Sequence, residues 1–351
     1  MPIFHPDALH TFVAQVCAGL GSEPLEARLV ADQLVGANLA GHDSHGVGML
    51  PTYVAMAKQG ELQLNEHVST VTDSGPVVVL DGNLGFGQVM GNEAMDVAIE
   101  RARAHGIALV GLRNSFHIGR IGHWAERCVS ADLASIHFVN VAGHQALVAP
   151  YGGADARFAT NPFTVGVPAG DGTPAALLDM ATSKIAMGKA RVALNKGEQV
   201  PPDTLLDGSG SVTRDPSVMF GPDRSGALLA MGDHKGSGLA IMCELVGAAL
   251  LGGPTLRGQE RPPTVVNNML TIAIDPAALG TADGFAAEAA AYLDWVRASP
   301  VRDGFAEVLT PGQPEERARL ARAEGVDVDD TTHRELLAAA EQAGCGELTI
   351  S

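Results

Sequence analysis

The sequence predicts an α/β protein with an added helical layer, on three observations. Short apolar runs of strand character alternate with helical periodicity through the middle of the chain. Both ends carry helical spacing with little strand signal. Ala, Gly, Val and Leu dominate, and aromatic residues make up only 4% of the 351 residues, which suits small-residue packing of helices on a sheet.

The elements follow in order. Residues 6–20 and 24–40 place apolar positions at helical spacing, with Gly19 and Gly21 ending the first run and Ser22 set to cap the second. Gly41 to Gly46 read as a loop, and residues 47–58 resume the helical period, which puts His42 to His45 at a helix N-terminus, where anions are favoured. From Pro76 the pattern changes to a strand at 77–80, a helix at 88–105 and a strand at 107–112, a βαβ unit. A helix at 119–130 and strands at 135–141, 163–167 and 176–178 complete an α/β core. Residues 196–223 are rich in Pro, Gly, Asp and Ser and read as an irregular surface loop. An apolar helix at 236–251, a strand at 269–274 and an amphipathic helix at 285–298, with Trp295 turned inward, precede a tail of two polar helices opened by Pro311. The expected division is a helical region at 1–75, a cofactor- and substrate-binding core at 76–300, and a tail at 301–351 packed on the N-terminal region.

A net charge of −17, with no run of Lys or Arg, argues against a nucleic-acid partner. Cys17, Cys128, Cys243 and Cys345 have no paired spacing and read as reduced, mostly buried thiols. The N-terminus lacks a basic segment followed by an apolar one, and residues 239–251 are too short to span a bilayer, so a cytoplasmic protein with no membrane partner is expected.

Chemistry concentrates in a few glycine-flanked clusters. Asn114 to Trp124 follows a strand and offers His117 for proton transfer, Arg120 for an anion, and Gly119 and Gly122 for close ligand approach. Gly41-His-Asp-Ser-His-Gly46 repeats the recipe, with Ser44 able to relay a proton to His45. Leu178 to Ser183 sets Asp179 and two hydroxyls at a strand end, or else caps a helix through Thr182 or Ser183. Gly232-Asp-His-Lys-Gly236 opens a helix with His234 and Lys235, which suits a pyrophosphate.

Other patterns carry less. Gly85 to Gly91 misses the dinucleotide fingerprint by one position and reads as a structural turn. Gly188-Lys189-Ala190 fails as a phosphate loop, and no nucleophile elbow surrounds Ser209 or Ser237. His42, Asp43 and His45, joined by His117 or His123, form a rival set of metal ligands for a lyase or hydrolase.

The motifs His42 to Gly46, His117 to Gly122, Ala159 to Phe163, Leu178 to Ser183 with Gly188-Lys189, and His234 to Gly238, in this order, resemble the malate/L-lactate dehydrogenase-like family of non-Rossmann oxidoreductases. Residues 38–46, 120–124 and 298–300 look nearest to its hydroxycarboxylate dehydrogenase branch. The resemblance implies a mixed central sheet, a helical layer from both chain ends, a homodimer, and NAD- or NADP-dependent interconversion of 2-oxo and 2-hydroxy carboxylates. An NADPH-dependent cyclic imino acid reductase of the same family is the alternative, and no metal is implied. It also implies roles: Ser44 and His45 as the proton-donating pair and His117 at the junction of cofactor and substrate. Cofactor contacts would come from His45, His117, Gly119, Arg120, Ile121, Asp179, Met180, Ala181, His234, Lys235, Asn267, Gly312, Gln313, Pro314 and Glu315. Met49, Tyr53, Thr160 and Arg120 would face substrate. Many relatives have arginine where this chain has Met49, so an apolar pocket with Arg120 or another cation on the carboxylate is expected here.

Overall fold

The computed structural model describes residues 2–220, 224–257, 264–346 and 348–350. The chain opens with β1 (Ile3–Phe4), α1 (Pro6–Leu20), α2 (Pro24–Leu39) and, after two single 3-10 turns, α3 (Leu50–Gln59). Gly21 closes α1 in the left-handed region at φ 106°, as its lack of Cβ permits. Glu23, not Ser22, occupies the N-cap position of α2 and makes no side-chain cap; Pro24, fixed at a helical φ, starts that helix instead.

The main sheet follows: β2 (Ser69–Ser74), β3 (Val77–Asp81), β4 (Ile107–Ser115), β5 (Ala134–Ala142), β6 (Phe163–Pro168), β7 (Pro174–Met180) and, much later, a long strand over Val266–Ile274. Helix α4 (Gly87–His105) crosses between β3 and β4, the sheet's parallel pair, and α5 (Gly122–Ser130) precedes β5. Residues 119–121, expected to begin that helix, form the loop ahead of it. Two of the glycines at 85–91 serve packing: a Cβ on Gly87 would lie 2.2 Å from the His117 carbonyl oxygen, and one on Gly91 2.4 Å from the Trp124 ring. The turn itself falls at 83–84, ahead of α4, and Gly87 and Gly91 belong to the helix, where close packing excludes a Cβ.

Helix α6 (Met187–Lys196) leads into a segment that is not wholly irregular. Within it β8 (Leu205–Leu206) pairs with both β9 (Val212–Thr213) and β10 (Ala227–Leu228) in a three-stranded sheet, and Leu205 and Leu228 bury in the same cluster as Ala190 and Ala193 of α6. The last three positions of the expected loop, 221–223, lie outside the described residues. Thr182 and Ser183 cap no helix, since α6 starts four residues further on and both hydroxyls donate to carbonyl oxygens, of Thr160 and Ile185.

After α7 (His234–Gly247) comes the long strand, β11 (Val266–Ile274), which enters the middle of the sheet. The strand order is β2-β3-β4-β11-β5-β6-β7, with β11 antiparallel to both neighbours, so the sheet is mixed. β2, fully exposed and rich in Ser, Thr and Asp, makes a polar edge, while β11 is buried along most of its length. Helix α8 (Ala282–Arg297) lies outside this sheet. Trp295 is 72% exposed rather than turned inward, because α8 packs near β7 and the 3-10 turn at Pro276–Leu279 and leaves this part of its apolar stripe uncovered.

The tail forms α9 (Gln313–Ala321), β12 (Val326–Asp327) and α10 (Asp330–Gln342). β12 pairs with β1, and Leu336, Ala339 and Ala340 of α10 enter the same apolar core as Leu9, Leu34, Phe86 and Met269. The two chain ends thus share one core with the sheet. No helix among the described residues is long and apolar enough to cross a membrane.

Candidate functional site

The loop between α2 and α3 is built by Asn38. Its side-chain oxygen accepts from Val47 N–H at 2.8 Å, its amide donates to Asp43 Oδ1 at 2.7 Å, and a Cβ on Gly46 would strike it at 2.2 Å. Ser44 and His45 therefore project from a tight 3-10 turn, with Ser44 Oγ 3.0 Å from His45 Nδ1. Gly188, at the start of α6, comes within van der Waals reach of Ser44: a Cβ there would lie 3.1 Å from the serine Cβ.

The loop after β4 is clamped at the Ile118 peptide. Asn267 Oδ1 accepts the Ile118 N–H at 3.0 Å, and the Ile118 carbonyl accepts from Gln33 Nε2 at 2.9 Å and from the Trp124 indole at 3.1 Å. Gly119 turns the chain at φ 68°, and a Cβ there would meet Gln33 Oε1 at 1.9 Å. These contacts bring His117 onto His45, with ring centroids 5.7 Å apart and planes 16° from parallel. Tyr53 hydroxyl lies 2.7 Å from His117 Nδ1, and Gln88 Nε2 donates to that hydroxyl at 3.0 Å.

Burial pushes His117 down to about 3, helped by the fields of His45 and His144, so the ring is neutral at pH 7. His45 is also lowered, by burial first; Asp179 opposes that shift, while His42 and Arg120 add to it. The two rings differ in their outlets. Ser44 is solvent-exposed, whereas Tyr53 and Gln88 are fully buried.

Arg120 is buried, its side chain 3% exposed, between Glu126 at 2.5 Å and Asp179 at 3.5 Å. The expectation that it grips a substrate carboxylate is not met in this arrangement, because its guanidinium is held by two carboxylates of the chain. Asp179 also accepts Gly122 N–H at 2.9 Å and the Thr164 hydroxyl at 3.0 Å, which ties β6 and β7 to the start of α5. Burial alone would raise Glu126, but Arg120 and Arg319 outweigh it and hold the carboxyl below its usual range.

Helix α9 and the residue that ends it tie the α2–α3 loop to helix α5. Glu315 meets His42 at 3.1 Å, Arg322 meets Asp43 at 2.7 Å, and Arg319 reaches Glu126 at 2.5 Å. Just before it, Gly312 sits at φ 97° beside Leu177, and the Leu177 N–H donates to the Pro311 carbonyl at 3.1 Å. The proposed metal ligands consequently diverge: His42 turns to Glu315 and Asp43 to Arg322, while His45 faces His117. Among the described residues no group of three or more His, Cys, Asp and Glu is gathered for a metal.

The other expected site residues fall in several places. His234 and Lys235 are exposed at the start of α7, where His234 meets the Tyr151 ring at 5.8 Å. Thr160 is half-buried, and its carbonyl accepts from both the N–H and the hydroxyl of Thr182. Met49 packs against the main core, and Tyr53 is fully buried behind His117 instead of facing a ligand. Asn267 uses both ends of its amide within the protein, on Ile118 N–H and the Asn140 carbonyl. The motif reading gave Gln33, Asn38 and Gln88 no role, although Asn38 and Gln88 lie inside segments it singled out. The available signal was a polar residue on an apolar helix face, since Gln33 and Asn38 are buried among the core positions of α2.

Residues 4–337 match the malate/L-lactate dehydrogenase family. The chain is 48% identical over 351 residues to hydroxycarboxylate dehydrogenase B of Escherichia coli strain K12, covering 99% of this chain and 96% of that protein. The solved sulfolactate dehydrogenase of Methanocaldococcus jannaschii superposes with a TM-score of 0.88 at 31% identity, covering 99% of this chain and 98% of that one. The solved δ1-piperideine-2-carboxylate reductase of Pseudomonas syringae pathovar tomato superposes with a TM-score of 0.84 at 26% identity, covering 97% of this chain and 100% of that one.

Proposed function

Because the chain belongs to the malate/L-lactate dehydrogenase family, we propose that the His45 and His117 pair is the reaction centre of a nicotinamide-dependent dehydrogenase interconverting 2-oxo and 2-hydroxy carboxylates. The observation that carries this reading is the stacking of two imidazoles from separate loops, one coupled to solvent through Ser44 and the other to the core through Tyr53.

The residues present fit a dinucleotide. At the start of helix α7 the N–H groups of Lys235, Gly236 and Ser237 donate to the Gly232, Met231 and Asp233 carbonyls, so the exposed His234 and Lys235 side chains there, with the helix's positive end, would meet an anionic group. Gly119 and Ile121, the backbone of 179–181 and the turn at 312–315 border the two imidazole loops and would hold the rest. When bound, the nicotinamide supplies or takes the hydride.

His45 is the proton donor for carbonyl reduction and the base for alcohol oxidation. Ser44 Oγ, exposed and bonded to Nδ1, returns protons between His45 and water. His117, neutral and buried at its Nδ1 edge, orients and polarises the substrate oxygen by a hydrogen bond. Arg120 acts indirectly, by holding the loop and α5 against β7.

The pH dependence follows with its sign. Reduction needs His45 protonated, so kcat/KM for reduction falls as pH rises through a value below the ordinary 6.5 of histidine. Oxidation needs the neutral ring, so its kcat/KM rises through the same value and stays level above it. Initial rates in both directions across the acid and neutral range check this, and a reduction limb falling only above neutrality would count against His45.

Substrate choice is decided by a panel of 2-oxo acids (2-oxoglutarate, 2-oxobutyrate and phenylpyruvate) and cyclic imines, each assayed with NADH and with NADPH. A 2-oxo acid is expected to be preferred. Preference for a cyclic imine would move the chain to the reductase reading that the Pseudomonas structure favours. Met49, without charge, suits larger apolar substituents. We also propose a homodimer, since Ile241, Met242 and Leu245 on α7 and Tyr292 and Trp295 on α8 leave apolar faces uncovered in one chain. Sedimentation at a single-chain mass would reject it.

A further inference from the structure

The His117 ring has two nitrogens, and its function depends on which one carries the proton. Gln88 lies on α4, in the glycine-rich segment otherwise concerned with packing, and is completely buried. Its Nε2 donates to the Tyr53 oxygen at 3.0 Å, and its Oε1 has no partner. As oriented, one amide N–H and the carbonyl oxygen lack partners; the reverse orientation would leave both N–H groups unpaired, and a buried N–H goes unpaired more rarely than a carbonyl oxygen. A tyrosine hydroxyl has one proton. With Gln88 donating to its oxygen, that proton is directed along the 2.7 Å contact to His117 Nδ1. Nδ1 is then the acceptor, and the ring's proton resides on Nε2.

We propose that Gln88 is a positioning residue that sets the tautomer of His117 through Tyr53, so that His117 presents an N–H, never a bare lone pair, to the substrate oxygen. The assignment rests on the dehydrogenase reading for its consequence but not for its test, because the tautomer exists in the free enzyme. Several features support a fixed relay. Tyr53 is wedged edge-on between Phe86 and Phe116, with centroids at 5.7 and 5.3 Å, so its ring cannot swing away. Burial raises the phenol above its ordinary range and keeps the proton on oxygen. Gly87, beside Gln88, can approach the His117 carbonyl only because it lacks a Cβ, which holds α4 and the His117 loop in register. The titratable groups that act on His117 are His45 and His144. Neither hydrogen-bonds its Nδ1, so neither competes with Tyr53 for that nitrogen.

The test is the side-chain nitrogen spectrum of ring-labelled enzyme without cofactor near pH 7.5, with His117 assigned by its absence in His117→Asn. The expected result is a neutral Nε2–H ring in the wild type. Gln88→Glu offers an acceptor in place of the donor, so Tyr53 turns its proton toward residue 88 and His117 moves to Nδ1–H. Tyr53→Phe removes the donor and gives a mixture of the two forms. In turnover, both variants are expected to lose about tenfold or more in kcat with KM nearly unchanged. Gln88→Asn, given a chain too short to reach, should resemble Tyr53→Phe in the spectrum while thermal unfolding shows it folded. A wild-type ring protonated on Nδ1, or an Nε2–H ring that persists in Gln88→Glu and Tyr53→Phe, overturns the proposal. If the spectra behave as expected but turnover is unaffected, the relay exists and the reading of His117 as a hydrogen-bond donor to substrate is what fails.

Discussion

Replacing His45 with alanine is expected to lower kcat/KM for 2-oxo acid reduction by about a hundredfold or more, the usual loss when a positioned proton donor is removed. The fold should survive, because His45 is half-buried and its side chain hydrogen-bonds exposed Ser44. Ser44→Ala should fall less, since water can reach the ring where the hydroxyl stood. His117→Ala is also expected to be slow, but through loss of orientation, with the pH dependence of reduction retained. His45→Ala should abolish that dependence. Near-normal turnover in His45→Ala together with a dead His117→Ala would exchange the two roles.

The second large effect is on stability. Asp179→Ala is expected to cost about 3 kcal/mol or more, on the scale found when one partner of a buried ion pair is removed. Its carboxylate is 8% exposed and receives the Gly122 N–H, the Thr164 hydroxyl and Arg120. Removal leaves a buried N–H and hydroxyl without acceptors and strips Arg120 of one of its two anions. Urea unfolding measures the loss, and cofactor titration of the folded fraction separates it from binding. Unchanged stability with abolished cofactor binding would mean that the carboxylate serves the ligand, not the α5 N-terminus.

Much of the site was legible because its signals are local. Ser44 and His45 are adjacent, Gly119 and Gly122 flank Arg120, and glycine or proline marks most of the turns. Arg120 shows the limit. A cation beside two glycines invites an anionic ligand, but Glu126 lies six residues on, within α5, Asp179 comes from β7 and Arg319 from α9. Nothing in the sequence around Arg120 specifies that those distant charges converge. Trp295 shows a related limit, since an apolar stripe identifies a face to be covered but not whether this chain covers it.

By itself the sequence determined the helices at both ends, the βαβ unit and the two loops that carry imidazoles, because side-chain periodicity and backbone freedom act over a few residues. Only the tertiary structure decided that β11 enters between β4 and β5, which sets Asn267 on the Ile118 peptide. It alone placed α9 across the α2–α3 loop and α5 and aligned Gln88 and Tyr53 behind His117. These are pairings between residues tens to hundreds of positions apart, fixed by which buried donors find acceptors once the core has closed.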